Sequence, residues 1–376
     1  MQNVLNNILK FKVSATDLSK KSGIELNRIE EILGGNAELY IGEIRAIAKA
    51  LKVRPEFLIA ENSSYQAVNA LFRENINKNF DPIYDKVSYM LANAVGILQG
   101  VYNSHEIHET FPKVGADYDG VIKIATIFRQ KYFNSDFVSP ILNLPEIIAN
   151  QLNCVLIISE IGPSIDGVSA IINDIPFIII APRFKPRMLF TLAHELGHII
   201  AHHSDEQNFV AVDNSFKMYK RKRGQEEFAH AFASEILLPQ EGVAYTLKII
   251  REQLDIKGDF FGEMELLYLS RIYGVSFEVA ALRCENLGLI PRGSAISLYE
   301  SLKREYGGPE KRAQRLELMD RPDVVFPAIS SNLMQPIIDK INSGELSLGK
   351  AAELLSIPTA DIITYNSQEG GYSLRQ

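Results

Sequence analysis

Apolar residues recur at intervals of three and four along most of the chain, the spacing of one face of an α-helix. In the first sixty residues, ATDLSKK, ELNRIEEIL and IGEIRAIAKAL predict three short helices, separated at Gly23 and at Gly34–Gly35. Ser14 stands before the first of them with Asp17 three positions on, an arrangement typical of a helix N-terminus. The pattern predicts a small helical bundle at the start of the chain.

The pattern changes from about residue 120. IKIATIFRQKYF and LPEIIANQL predict helices, whereas CVLIISEIG and GVSAIINDIPFIIIAP are rich in Ile and Val and are bounded by Gly, Pro and Asn-Asp, as strands are. Pro186 then suits the start of a helix, and QEEFAHAFASEILLP predicts another. This order indicates a small α+β domain with its sheet beside the helices.

Beyond Pro239 the chain becomes helical again, and residues 266–290 and 346–362 each resemble a helix, a turn and a helix used for packing. The predicted fold class is therefore multidomain and mainly α, with a small α+β core. We expect an N-terminal helix-turn-helix bundle at 1–60, a helical linker at 61–115, the core at 116–245 and a helical C-terminal region at 246–376.

Composition narrows the class of protein. The chain is 46% hydrophobic and 23% charged, with no apolar run near the ~18–20 residues of a membrane span and no signal-peptide core at its start. Its two cysteines allow at most one disulfide, so we expect a cytoplasmic location. The net charge of −7 argues against a protein that coats nucleic acid without selectivity.

Histidine is unevenly distributed, and five of the seven histidines lie between His194 and His230. The segment HELGH places His194 and His198 one turn apart on a helix face, where two imidazoles reach one ion, with Glu195 beside them. A catalytic zinc requires a third protein ligand. Glu226 and His230 share a face of the next predicted helix, and the residues alone leave both open. The alternative is a helix whose histidines bond to carbonyl groups.

Two motifs together resemble a known family. LFTLAHELGHII, followed about thirty residues later by EEFAHAFASEILLP, looks like the ImmA/IrrE metallopeptidases, over about residues 120–290. The family's second motif, Glu-x-x-Ala-Asn-x-Phe-Ala-x-x-Leu-Leu-x-Pro, puts Glu226 at its glutamate ligand, whereas His230 replaces its asparagine. GVSAIINDIPFIII resembles the family's edge strand before the zinc helix, where a substrate peptide would add as a strand.

The resemblance implies a Zn²⁺-dependent endopeptidase whose ligands are His194, His198 and Glu226. Glu195 would take a proton from the attacking water and pass it to the leaving amine. Groups that could stabilise the oxyanion or support a ligand are His230, Tyr219 and His202. Members of the family cleave Xre-type repressors and release genes for stress responses, mobile elements or phage defence, so the expected partner is such a repressor.

The N-terminal segment LSKKSGIELNRIEEIL resembles the Xre/Cro-type helix-turn-helix, with Leu26, Asn27 and Arg28 as possible DNA contacts. Residues 1–60 hold nine Lys and Arg against seven Asp and Glu, so DNA binding and a dimerisation module without DNA contact both stay open. A DNA-binding regulator or an antitoxin-like protein that uses the peptidase fold as a sensor is the alternative to a protease.

Control of the activity has two candidate sources. The run KMYKRKR between the motifs is either a solvated loop or an anion-binding element beside the cleft. Its charged residues are Lys217, Lys220, Arg221, Lys222 and Arg223. A thiolate from Cys284 or Cys154 occupying the metal's open position is the less favoured source, because a lone cysteine is usually a small buried hydrophobe.

Overall fold

The structure, a computed structural model, describes residues 13–51 (except 36 and 38), 82–102, 110–202 (except 116), 209–213 and 223–368 (except 259), with five isolated residues before residue 59. Within these ranges, no helix has the length and apolar character that a membrane span requires. The chain divides into two compact units, residues 1–96 and 97–376. The finer division into four domains stays a prediction.

The first unit contains the three short helices that the pattern predicts: α1 (Ala15–Ser22), α2 (Leu26–Leu33) and α3 (Ile41–Leu51), with most of α4 (Pro82–Leu98). The Ser14 hydroxyl accepts a hydrogen bond from the Asp17 amide at 3.1 Å and starts α1. Gly23 ends the helix in the left-handed conformation, with φ of 73°. Helices of these lengths are compatible with a helix-turn-helix, but that assignment stays a prediction.

The second unit is mainly helical and has one small sheet. It begins with α5 (Tyr118–Tyr132) and α6 (Leu144–Glu146), which continues as a π-helical turn (Ile147–Gln151). Three strands follow, β1 (Val155–Ile158), β2 (Gly167–Ile172) and β3 (Ile175–Ile180). The next elements are α7 (Lys185–His202), β4 (Phe209–Asp213) and α8 (Arg223–Leu237).

The C-terminal region is helical, as the sequence predicts. Its helices are α9 (Gln240–Gln253), α10 (Glu263–Ile272), α11 (Phe277–Asn286), α12 (Ser294–Tyr306), α13 (Pro309–Arg315), α14 (Ser331–Asn342), α15 (Leu348–Leu355) and α16 (Thr359–Gln368). The mainly helical chain with a small sheet is compatible with an α+β peptidase core.

The four strands lie in the order β1-β3-β2-β4. β1 runs parallel to β3, and β2 is antiparallel to both β3 and β4. The two-residue turn between β2 and β3 is Asn173–Asp174, with φ of 51° and 61°, the positive values that a type I′ hairpin needs. The expectation that GVSAIINDIPFIII supplies an edge strand is wrong, because β4 pairs along β2 and makes it internal.

The outer edge of β1 is covered by a segment from the C-terminal region. The Ile158 amide donates to the Ala328 carbonyl at 2.8 Å, and the Ser330 amide donates to the Leu156 carbonyl at 2.9 Å. The Ser330 hydroxyl also accepts from the Leu156 amide at 2.8 Å. The sheet is therefore extended by a short antiparallel bridge from a segment about 170 residues further along the chain.

A buried arginine fixes the position of α8. Arg129 on α5 is 1% exposed and donates to the Ile236 carbonyl at 2.6 Å and to the Ser139 carbonyl at 3.2 Å. Desolvation lowers the pKa of Arg129 to about 10, so the guanidinium keeps its charge at neutral pH. The last turn of α8 is thereby attached to α5.

Candidate metal centre

Two helices cross closely at the centre of the second unit, and glycine permits the crossing. A Cβ on Gly197 of α7 would lie 2.9 Å from Ala229 Cα and 3.2 Å from both Ala229 Cβ and Phe232 Cδ1 of α8. Only a residue without a side chain allows the backbones to approach this far. Gly197 belongs to HELGH and Ala229 stands one turn after Glu226, so this contact brings the two predicted ligand motifs together.

Three potential ligands converge beside this crossing. The Nε2 atoms of His194 and His198 are 3.0 Å apart, and Glu226 places Oε2 at 3.4 Å from the first and Oε1 at 3.3 Å from the second. His198 is fully buried and His194 is 6% exposed, whereas the Glu226 side chain is 35% exposed. The cluster therefore has one side open to solvent.

The cluster fits a zinc ion. Tetrahedral ligands at ~2.0–2.1 Å from zinc stand roughly 3.3–3.4 Å from one another. The two imidazole nitrogens are 3.0 Å apart, and each lies 3.4 or 3.3 Å from one of the two Glu226 oxygens. Two imidazoles with one carboxylate form a usual donor set for catalytic zinc. The described residues contain no other group of three or more potential metal ligands as close as this.

Glu195 lies beside the cluster and is fully buried. The Ser169 hydroxyl of β2 donates to Glu195 Oε2 at 2.5 Å. β2 approaches this closely because Gly167 has no side chain: a Cβ there would lie 2.6 Å from Glu195 Oε1 and 2.8 Å from Thr191 Cγ2. The sheet thus holds the carboxylate that follows the first histidine.

Ser169 is not among the site residues that the sequence predicts. The available signal was a single hydroxyl in an otherwise apolar strand, GVSAII, in which every residue is buried. A buried hydroxyl requires a hydrogen-bond partner, and the nearest predicted chemistry was the HELGH helix. The partner itself could not be named, because strand and helix contact depends on the fold.

A cavity of about 730 Å³ opens next to the three ligands. Its walls come mainly from α7 and α8, with contributions from α5 and α11, and include Phe190, Thr191, His194, Glu226, His230 and Asn286. His230 lies at its rim, where its ring packs edge-on to Phe190 at 5.0 Å and stands 6.2 Å from the His194 ring. Glu226, and not His230, is thus the residue that joins the two histidines.

The pKa of His230 is lowered. Desolvation in the cleft is the main cause and His194 adds to it, although Glu226 acts in the opposite direction. The ring is therefore neutral at pH 7 and carries one N–H that can donate a hydrogen bond.

The other predicted site residues have different outcomes. Arg28 forms two hydrogen bonds with the Glu43 carboxylate, at 2.7 and 3.1 Å, while Leu26 and Asn27 are exposed. His202 ends α7, and its side chain lies outside the described atoms. Tyr219 and the basic residues Lys217, Lys220, Arg221 and Lys222 lie outside the described residues, and Arg223 begins α8.

Neither cysteine lines the cavity. Burial raises the pKa of Cys154 far above its usual range and raises that of Cys284 to about 12, despite the opposing charge of Arg283. Both thiols are buried and protonated at neutral pH, so they behave as small core residues.

Comparison with known families agrees with this geometry. No curated protein matches the chain. Residues 149–285 match the family model described as the IrrE N-terminal-like domain, Peptidase_M78. The matched segment is about a third of the chain, runs from the π-helical turn to α11 and contains all three potential ligands. This part of the chain is therefore similar to the metallopeptidase domain of the ImmA/IrrE family.

Proposed function

We propose that the protein is a zinc-dependent endopeptidase. The observation that carries the proposal is a buried carboxylate, Glu195, that directly follows His194, one of three convergent metal ligands, two of which line an open cleft. A protein that only sensed a metal would need the ligands but not the adjacent carboxylate. The similarity of residues 149–285 to a peptidase family supports the same proposal.

His194, His198 and Glu226 would hold the zinc ion. Bound there, zinc supplies Lewis acidity toward the scissile carbonyl and the attacking water. Glu195 accepts the proton that water loses as its oxygen bonds to the carbonyl carbon, and delivers it to the amide nitrogen as the C–N bond breaks. The second proton of the water stays on the new carboxyl group and passes to the amine, so the products at neutral pH are a carboxylate and an ammonium group.

Two further residues act on the same step. Ser169 fixes the orientation of the Glu195 carboxylate through its hydrogen bond to Oε2. His230, neutral and located at the rim, can donate its N–H to the carbonyl oxygen as negative charge develops there. The histidine that replaces the family's asparagine thus keeps a donor at this position.

We propose an Xre-type repressor as the substrate, with release of stress-response, mobile-element or phage-defence genes as the result of cleavage. The similarity of the second unit to the ImmA/IrrE domain and the helix-turn-helix resemblance of residues 1–60 support this substrate. The first unit would then recognise the repressor itself or its operator. The pairing of Arg28 with Glu43 engages a residue proposed to contact DNA, which favours the protein partner.

The test is co-incubation of the zinc-loaded full-length protein with an Xre-type repressor encoded beside its gene, read by intact mass. We expect one pair of fragments that disappears with chelator. Glu195→Gln is the matched control, because it keeps the three ligands and loses only the base. Fragments produced at the wild-type rate by Glu195→Gln would refute the mechanism. An intact repressor beside cleaved peptides would refute only the substrate.

A further inference from the structure

The α7 face that carries the zinc ligands also carries a cation. Arg187, Thr191 and His194 follow one another at intervals of four and three residues, so they lie along one face of the helix. All three line the cavity beside the metal-binding cluster. Arg187 is 49% exposed, and the mechanism does not use it.

The ionic partner of Arg187 is shared with a second arginine. Arg187 Nη2 donates to Oδ2 of Asp166, and Arg183 Nε lies 3.4 Å from Oδ1 of the same carboxylate. Asp166 is 4% exposed, so its charge needs a close counter-ion. Two arginines therefore share this one buried aspartate, and Arg183 also pairs with the exposed carboxylate of Glu160.

Arg183 has little capacity to bind anything else. It donates to the carbonyls of Gly162 at 2.6 Å and of Pro182 at 3.0 Å, and lies 3.8 Å from the exposed carboxylate of Glu160. Arg187 differs, because only its Nη2 is engaged. Across the described part of the chain, no acceptor lies within hydrogen-bond distance of its Nε or Nη1. The donors of this pair of arginines that have no acceptor among the described residues are therefore the Nε and Nη1 groups of Arg187.

The opposite wall does not neutralise the charge of Arg187 in the same way. Arg283 is buried and pairs with Glu235 at 2.5 Å, so the charges of these two side chains cancel. Glu226 belongs to the metal cluster, and Glu227 lies on α8 at the exposed rim. The cleft thus has a cationic side on α7, held in place by a buried aspartate, and an acidic side on α8.

We propose that Arg187 binds a carboxylate of the substrate, the side chain of an aspartate or glutamate. This inference rests on the proposed peptidase function and names one specificity determinant for it. Seven residues at ~1.5 Å rise place Arg187 about 10 Å along α7 from His194. For a peptide that lies extended along α7 and advances about 3.3 Å per residue, the acidic residue stands about three residues from the cleaved bond.

Binding is measured first, on full-length zinc-loaded Glu195→Gln. The probes are two fluorescein-labelled pools of random decapeptides, identical except that one contains glutamate where the other contains glutamine. We expect the glutamate pool to bind about five- to tenfold more tightly, as a half-exposed charge-assisted pair allows. Adding Arg187→Gln should remove the preference, whereas adding Lys185→Gln should keep it. Lys185 lies two residues earlier on α7, outside the cavity, and its loss changes the net charge equally.

A charge reversal separates recognition from damage to the fold. The variant Arg187→Glu should bind a third pool, with lysine in place of glutamate, more tightly than the glutamate pool. A misfolded protein would bind neither pool. Equal binding of the glutamate and glutamine pools would overturn the inference. So would a Lys185→Gln variant that loses the preference for glutamate as fully as Arg187→Gln does. Cleavage of peptides by wild type without enrichment of acidic residues would also overturn it and leave the peptidase proposal standing. Acid-selective binding without any cleavage would refute the peptidase and keep the subsite.

Discussion

A methyl group added at Gly197 should weaken zinc binding without changing any ligand. In Gly197→Ala the new Cβ meets Ala229 Cα at 2.9 Å, and neither atom is the end of a flexible side chain. To bring this Cβ–Cα distance to an ordinary contact of at least 3.4 Å, α8 must move away from α7 by about 0.5 Å. Glu226 lies one turn from Ala229 and moves with the helix.

Two opposing effects set the change in the free energy of unfolding of Gly197→Ala. Alanine gains about 1 kcal/mol of helix propensity over glycine, and overpacking costs about 1–3 kcal/mol. The free energy of unfolding of the metal-free protein should therefore fall by at most about 2 kcal/mol. Metal sites tolerate about 0.2 Å of ligand displacement, so a 0.5 Å shift of Glu226 should weaken zinc affinity about 10- to 100-fold.

The assay is a zinc competition titration against a chromogenic chelator, with urea unfolding in excess chelator run in parallel. Gly349→Ala is the matched control, because Gly349 lies in α15 with nothing within 4 Å of its added Cβ. That variant should keep wild-type zinc affinity and be equally or more stable. Wild-type zinc affinity in a folded Gly197→Ala protein would refute the argument that this glycine sets the ligand geometry.

Three further predictions follow from the same contacts. Glu226→Ala should lower zinc content per chain, measured by elemental analysis, whereas Glu227→Ala should not; the reverse result would move the ligand by one residue. Ser169→Ala should keep zinc but lower kcat about tenfold with KM unchanged, because Glu195 loses its hydrogen bond; a change confined to KM would contradict this role. The hydroxyl and amide of Ser139 lower the pKa of Asp136. The ionised carboxylate therefore stabilises the folded state at neutral pH, and this contribution is lost as pH falls through the lowered pKa. Asp136→Ala should therefore reduce Tm at pH 7, and the gap from wild type should narrow below about pH 4; a constant gap would exclude the ionised carboxylate as its source.

Local features of the sequence account for much of the fold. The Asn-Asp turn, the Ser14 cap and Pro186 in the first turn of α7 are each set by neighbouring residues, so they could be identified from the sequence. The HELGH spacing likewise places two imidazoles on one helix face whatever the rest of the fold does. Local periodicity also identified most of the helices in the second unit.

Contacts between distant segments could not be obtained this way. The sequence alone does not decide whether Glu226 or His230 is the third metal ligand. The close crossing of α7 and α8 at Gly197 and Ala229 brings Glu226 to both histidines. The edge-strand error has the same origin. β4 is five residues long and its FVAVD pattern was a usable strand signal, but its pairing with β2 depends on the return of the chain after α7.

The bridge between β1 and Ala328–Ser330 affects how the protein is made. During synthesis the peptidase segment leaves the ribosome well before residues 328–330, so β1 emerges with its outer hydrogen-bonding groups uncovered. An uncovered strand edge rich in Val, Leu and Ile is a template for pairing with other chains. A nascent chain stalled or truncated after residue 285 would therefore expose this edge, which residues 328–330 cover in the folded protein.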